Sequence, residues 1–166
     1  MDSFLIDPFA FCKNGERIGG HTPVSGLERL AAVCASQAGE LSWEVAGFLD
    51  NRQKPRLLIH VSGNMPLVCQ RCLEVLVCKL DSETVVAVAR TEEEADEMEE
   101  SFEDGEAVEV IVTDGKVDVR DLVEDEALLA LPLSPRHEVC PDTSAGKWQE
   151  KRESPFSALK ALKTKG

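Results

Sequence analysis

A chain of 166 residues is long enough for one domain with a real core and short for two of ordinary size. Its composition, 43% hydrophobic and 30% charged, is that of a globular protein, while 5% aromatics and no tyrosine leave the packing to Leu, Val and Ala. A net charge of −13 opposes contact with nucleic-acid phosphates along the body, and apolar runs such as Ala127 to Leu133 fall far below the roughly 18 residues of a membrane span.

The opening MDSFLIDPFAF has an acid at position 2 and no basic leader. It predicts neither a secretory signal nor a transit peptide, and hence a cytoplasmic protein that makes no membrane contact. PVSGLERLAAVCAS predicts a helix from about Gly26 to Ser36: Ser25 can cap, Glu28 follows at capping-box spacing, and Leu27, Leu30, Ala31 and Cys34 share a face. Leu41, Trp43 and Val45 then alternate with Ser42 and Glu44, a period-2 strand pattern. RLLIHVSG supplies a second strand across the loop DNRQKP, close enough for an antiparallel hairpin. LEVLVCKL and ETVVAVAR are short and valine-rich, which predicts two further strands.

Glu92 to Glu109 supply eleven acids with no base between them. Such a run predicts a solvated, disordered acidic loop over residues 91–106, with bait for a basic partner as the sharper alternative. In AVEVIVTDGKVDV, Asp114-Gly115 marks a turn. Asp118 or Asp121 can start a helix, VRDLVEDEALLAL, that Pro132 and Pro135 stop, and its Glu124, Asp125 and Glu126 read as a solvated face. From Ser134 the chain turns polar, and Lys147 to Gly166 carries six basic residues against two acids. The organisation predicted is a single α+β domain over residues 1–140, a mostly antiparallel β-sheet with flanking helices. A flexible basic tail, residues 141–166, follows it. Within the tail, segment 155–163 spaces Phe156, Leu159 and Leu162 for one side of a short helix.

Six cysteines in a reducing compartment argue against a disulfide framework. Cys34 reads as core filler, and Cys12 and Cys78 have no partner at ligand spacing. Cys69-Gln-Arg-Cys72 has one counterpart, His137-Glu-Val-Cys140. Together they form a Cys3His set suited to a structural Zn2+. Two other readings stand beside it. A redox Cys-x-x-Cys wants a helix N-terminus in a βαβ pattern, whereas the flanks here are strand-like, and the motif can also simply turn a hairpin corner. Arg71 inside the motif can lower a thiol pKa or face a phosphate or an acid. His21 and His60 lack partners at recognisable spacing, and neither a phosphate-binding glycine loop nor a Gly-x-Ser-x-Gly elbow is present.

The order of these motifs is more specific than any one of them. CQRCLE, an acidic stretch, VDVRDLVEDEALLALPLSPRHEVC and a closing PFSALKALK resemble the YceD family of large ribosomal RNA subunit accumulation proteins. The likeness is looser through Asp7 to Phe9 and GGHTPVSGLERL. The family pattern falls on Cys69, Arg71 and Cys72, on Glu124, Asp125 and Glu126, on Leu129 to Pro132, on His137 and Cys140, and on Pro155, Phe156, Leu159 and Lys163. Some branches carry a fuller cysteine set after the proline-rich stretch, where this chain has only His137 and Cys140.

The resemblance implies a bacterial cytoplasmic protein supporting synthesis, processing or stability of large-subunit (23S) ribosomal RNA, in a family whose members are not established enzymes. The acidity of the body favours action through a basic ribosomal protein or assembly factor, with any rRNA contact left to the C-terminal tail. Arg71, Glu124, Asp125, Glu126, Phe156, Leu159, Leu162 and Lys163 are the residues expected to meet partners. The alternative is a zinc- or thiol-dependent enzyme acting on RNA or on a ribosomal protein.

Overall fold

The computed structural model describes residues 4–102 and 108–141. Strand β1 (Leu5–Ile6) leads into helix α1 (Pro8–Asn14), which sequence reasoning missed although its signals are local. The Asp7 carboxylate accepts from the backbone N–H of Phe9 and Ala10, Pro8 stands where a missing N–H costs nothing, and Gly15 ends the helix at φ 63°. Strand β2 (Arg17–Pro23), also missed, precedes a 3-10 turn at Val24–Gly26 and helix α2 (Glu28–Val33). The chain continues through β3 (Glu40–Leu49), β4 (Pro55–Val68), β5 (Val75–Ala89), α3 (Glu92–Glu100), β6 (Glu109–Val112), β7 (Val117–Asp118) and α4 (Val119–Ala130).

The main sheet has the order β2-β3-β4-β5-β6, and only the β5–β6 pair is parallel. A small second sheet pairs β1 with β7. The mostly antiparallel α+β architecture thus holds, as does the β3–β4 hairpin. Alternation sets the two faces. Leu41, Trp43 and Val45 of β3 and Leu57, Ile59 and Val61 of β4 point inward, where Phe11 of α1, Leu30 of α2 and Leu122, Val123 and Ala127 of α4 join them in one core. Glu44, His60 and Glu83 lie in register on the opposite face. Helix α1 can lie close on β3 because position 47 is glycine: a Cβ there would meet Phe11 Cδ1 at 2.7 Å and Cys12 Cα at 2.8 Å.

Three expectations need correction. Helix α2 is shorter than Gly26 to Ser36, and Ser25 does not cap it; Leu27 is the N-cap and offers no side-chain acceptor. LEVLVCKL and ETVVAVAR are one strand, because the period-2 pattern runs unbroken through Lys79, Asp81 and Glu83, which all face solvent, while β4 pairs with it continuously from Val75 to Ala87. The acidic stretch is not a loop over its first part: Glu92–Glu100 is helix α3, capped by Thr91, whose hydroxyl accepts from the Glu94 N–H. Three glutamates in its first turn suit the helix dipole, and Ala95 and Met98 bury against Ala87 and Ala89, alternate to the residues of the main core. The basic tail from residue 142 onward lies outside the described residues.

Candidate metal centre

Strand β4 ends at Val68 and β5 begins at Val75, so the Cys-x-x-Cys is the connection between them and does turn a hairpin corner. Two backbone hydrogen bonds close it, from Leu73 N–H to the Cys69 carbonyl and from Cys69 N–H to the Glu74 carbonyl, each 2.9 Å. The tight turn puts Leu73 at φ 64°. The second pair arrives from beyond α4. Leu131 leaves the helix in an extended conformation, and the segment that follows docks on the corner. Gln70 N–H donates to the Pro135 carbonyl at 2.8 Å, and the Arg71 guanidinium donates to the His137 carbonyl, also at 2.8 Å. Arg71 is therefore a strut between the two halves.

These contacts bring Cys69, Cys72, His137 and Cys140 together, with one ligand atom of each within 4.8 Å of the others. Cys69 Sγ stands 3.8 Å from Cys140 Sγ, and Cys72 Sγ 3.3 Å from His137 Nδ1. A tetrahedral zinc with Zn–S near 2.3 Å and Zn–N near 2.0 Å has S···S edges of about 3.8 Å and S···N edges of about 3.5 Å. Three sulfurs and an imidazole nitrogen are also the donors that Zn2+ prefers. Residues and geometry fit the ion. Four protein donors complete a tetrahedron, the arrangement of a structural rather than a catalytic zinc.

The surroundings prepare one of the sulfurs, that of Cys69, for charge. The N–H groups of Arg71 and His137 both reach Cys69 Sγ at 3.5 Å. Burial opposes ionisation of Cys69, but backbone N–H groups of Cys72, His137 and Arg71, with the His137 side chain, outweigh it and hold this thiol at about 5. Burial, then hydrogen bonds with Cys72 and Cys69, push the Cys140 thiol up to about 11, against a lowering by Arg71. Cys69 is wholly buried, so its ready ionisation serves ligation better than attack on a substrate. Cys12, Cys34 and Cys78 stand apart from the cluster; Cys12 is buried and donates to the Arg56 carbonyl at 3.1 Å.

The acidic triplet of α4 has a different task from the solvated face its sequence suggests. Glu124 and Glu126 are buried. Glu124 Oε1 accepts from the backbone N–H of Arg29 at 2.7 Å and of Leu30 at 2.9 Å, while its Oε2 accepts from Arg29 Nε at 3.0 Å. Asp125 pairs with the same guanidinium at the surface, and the Ser82 hydroxyl donates to Glu126. Hydrogen bonding to Asp125 first and Glu124 second raises the Arg29 pKa. Arg29 and Ser82 carried no signal in the sequence. His60 and His21, without partners at recognisable sequence spacing, meet Asp81 at 2.9 Å and Glu40 at 3.3 Å across neighbouring strands. Phe156, Leu159, Leu162 and Lys163 lie outside the described residues.

The fold and the cluster define an α+β protein whose sheet corner and post-helix segment are joined at a Cys3His centre. Residues 57–163 match the family model described as large ribosomal RNA subunit accumulation protein YceD, and the chain belongs to that family. A curated relative from Haemophilus influenzae, named large ribosomal RNA subunit accumulation protein YceD, is 29% identical over 170 residues, covering 96% of this chain and 95% of its own length. No solved structure matches the chain. The matched span includes all four donors and the acidic triplet. Among the described residues no helix is long and apolar enough to cross a membrane.

Proposed function

We propose that the chain is a non-catalytic cytoplasmic factor supporting synthesis, processing or stability of large-subunit (23S) ribosomal RNA, with one structural Zn2+ bound by Cys69, Cys72, His137 and Cys140. The observation that carries this reading is family membership over a span that includes the four assembled donors. The name of the Haemophilus influenzae relative supports the ribosomal role, and the closed donor set supports a scaffold without turnover. The net charge of −13 supports a basic ribosomal protein or assembly factor as the direct partner, since an acidic surface steers basic partners and repels phosphate. Arg71 and Asp125 offer charge at the surface, and the basic tail with Phe156, Leu159, Leu162 and Lys163 supplies the part suited to meet rRNA or a partner groove.

Affinity purification from cells at low and high salt tests the role. A large-subunit protein, rRNA or an assembly factor enriched at low salt and lost at high salt is the expected result; no such enrichment at low salt overturns it. Metal analysis of the same preparation is expected to give one zinc per chain, lost on Cys72→Ser.

A further inference from the structure

Strand β5 is paired with β4 from Val75 to Ala87, but β6 covers its other edge only from Val86 to Ala89. Among the described residues no strand lies on that edge between Val75 and Val85. The slot has fixed ends: β6 closes one, and the CQRC corner closes the other. An open strand edge of this length presents unpaired backbone N–H and C=O groups to which a further strand can add. On the outward face of the slot stand Val75, 57% exposed, and Val77, 66% exposed, followed by exposed Lys79, Asp81 and Glu83.

We propose that this edge binds the same edge of a second copy of the chain, antiparallel about Leu80, so that two sheets merge into one across a twofold axis. The slot itself sets the register. Its midpoint is Leu80, and a copy centred there pairs along the whole slot without striking β6, whereas any other register shortens the pairing. That register, which the ends of the slot dictate without reference to charge, puts Lys79 opposite Asp81 of the second copy and, by symmetry, Asp81 opposite its Lys79. The strand is its own electrostatic complement. Val75 faces Val85 on the same side, and Val77 lies against the methylenes of Glu83. Asp81 accepts from His60 through Oδ1, which leaves Oδ2 for the incoming lysine. Pairing of one patch with its own copy is isologous, the interface type of every twofold dimer, and it closes the assembly at two chains. Opposed unlike charges across strands stabilise it, and like charges directly opposite disfavour it.

Sedimentation of the full chain over a range of concentrations tests the proposal, with circular dichroism confirming that each variant is folded. Wild type is expected to show a monomer–dimer equilibrium. Lys79→Asp sets acid against acid at two symmetric positions, and Asp81→Lys sets base against base; each is expected to weaken the dimer by about tenfold. Combining both substitutions restores opposite charges and is expected to restore the dimer. Every second amide of residues 75–85, those pointing away from β4, is expected to exchange more slowly as concentration rises. A chain that stays monomeric, a dimer indifferent to the single reversals, or a double variant that fails to recover each overturns the proposal. Slow exchange at every dilution of those amides in residues 75–85 that point away from β4 also overturns it, because another part of the chain then fills the slot.

Discussion

Helix α2 begins at Glu28 with no polar side chain at its own N-cap, and a helix start so placed leaves amides without acceptors. Glu124 supplies the acceptor from another helix, binding the Arg29 and Leu30 amides through one oxygen and the Arg29 side chain through the other. A buried carboxylate in this position locks α4 onto α2 and cannot be removed without stranding the groups it satisfies. Glu124→Ala is expected to destabilise the protein by about 1.5–3 kcal/mol, the range for hydrogen bonds to charged groups. Asp125→Ala, which removes a surface partner of the same arginine, is expected to cost under about 1 kcal/mol. Urea denaturation of the two variants measures both, and equal losses would sink the assignment of the cap to Glu124. These roles were illegible in the sequence because Arg29 lies 95 positions from Glu124, too far for any local pattern to link them. Only the presence of acids at these positions was visible there, and acids on a helix ordinarily face water.

At the scale of elements, local chemistry was legible wherever one segment carried its own signal. The Asp118 cap of α4, the alternation in β3 and the turn after β6 all follow from neighbouring residues. Helix α3 was missed because eleven acids speak for solvation, whereas its helical signal is a Thr91 cap and two apolar residues, Ala95 and Met98, three apart. The corner between β4 and β5 holds an oddity of the same local kind. Leu73 sits at φ 64°, a left-handed conformation that costs an L-residue with a Cβ roughly 1–2 kcal/mol, and its side chain is 73% exposed. The conformation is imposed by closure of the turn around Cys69 and Cys72 and gains nothing from leucine packing. Leu73→Gly is therefore expected to raise stability by about 0.5–1 kcal/mol, glycine entropy offsetting part of the relief. A thermal melt that falls instead would mean that the entropy glycine adds to the unfolded chain exceeds the strain relieved at this position.

Across the whole molecule, the four donors belong to chain segments on either side of β5, α3, β6, β7 and α4, so the centre ties together parts of the chain that the sheet and α4 bring into register. Spacing within each pair was readable and marked the four as one Cys3His set, which the structure brings together; the route by which they meet was not, because it depends on the path of α4 across β4 and β5. The centre then fixes residues 131–141, which include exposed Leu133 and Val139 and form no helix or strand. The Gln70 N–H bonded to the Pro135 carbonyl and the Arg71 guanidinium bonded to the His137 carbonyl flank exposed Arg136 and restrain the backbone a protease must extend to cut there. Zinc bound to this closed form lowers the open population by the factor 1 + [Zn]/Kd, so at free zinc about 100 times Kd the segment opens about a hundredfold less often. Cleavage that follows the open population shifts by the same factor. Trypsin is accordingly expected to cut after Arg136 about a hundredfold faster once a chelator has removed the metal, while sites inside the sheet stay protected. Gel or mass-spectrometric time courses read this directly. Cleavage at equal rates with and without chelator would show that the post-helix segment is held by its own hydrogen bonds and that the metal has no part in closing the molecule.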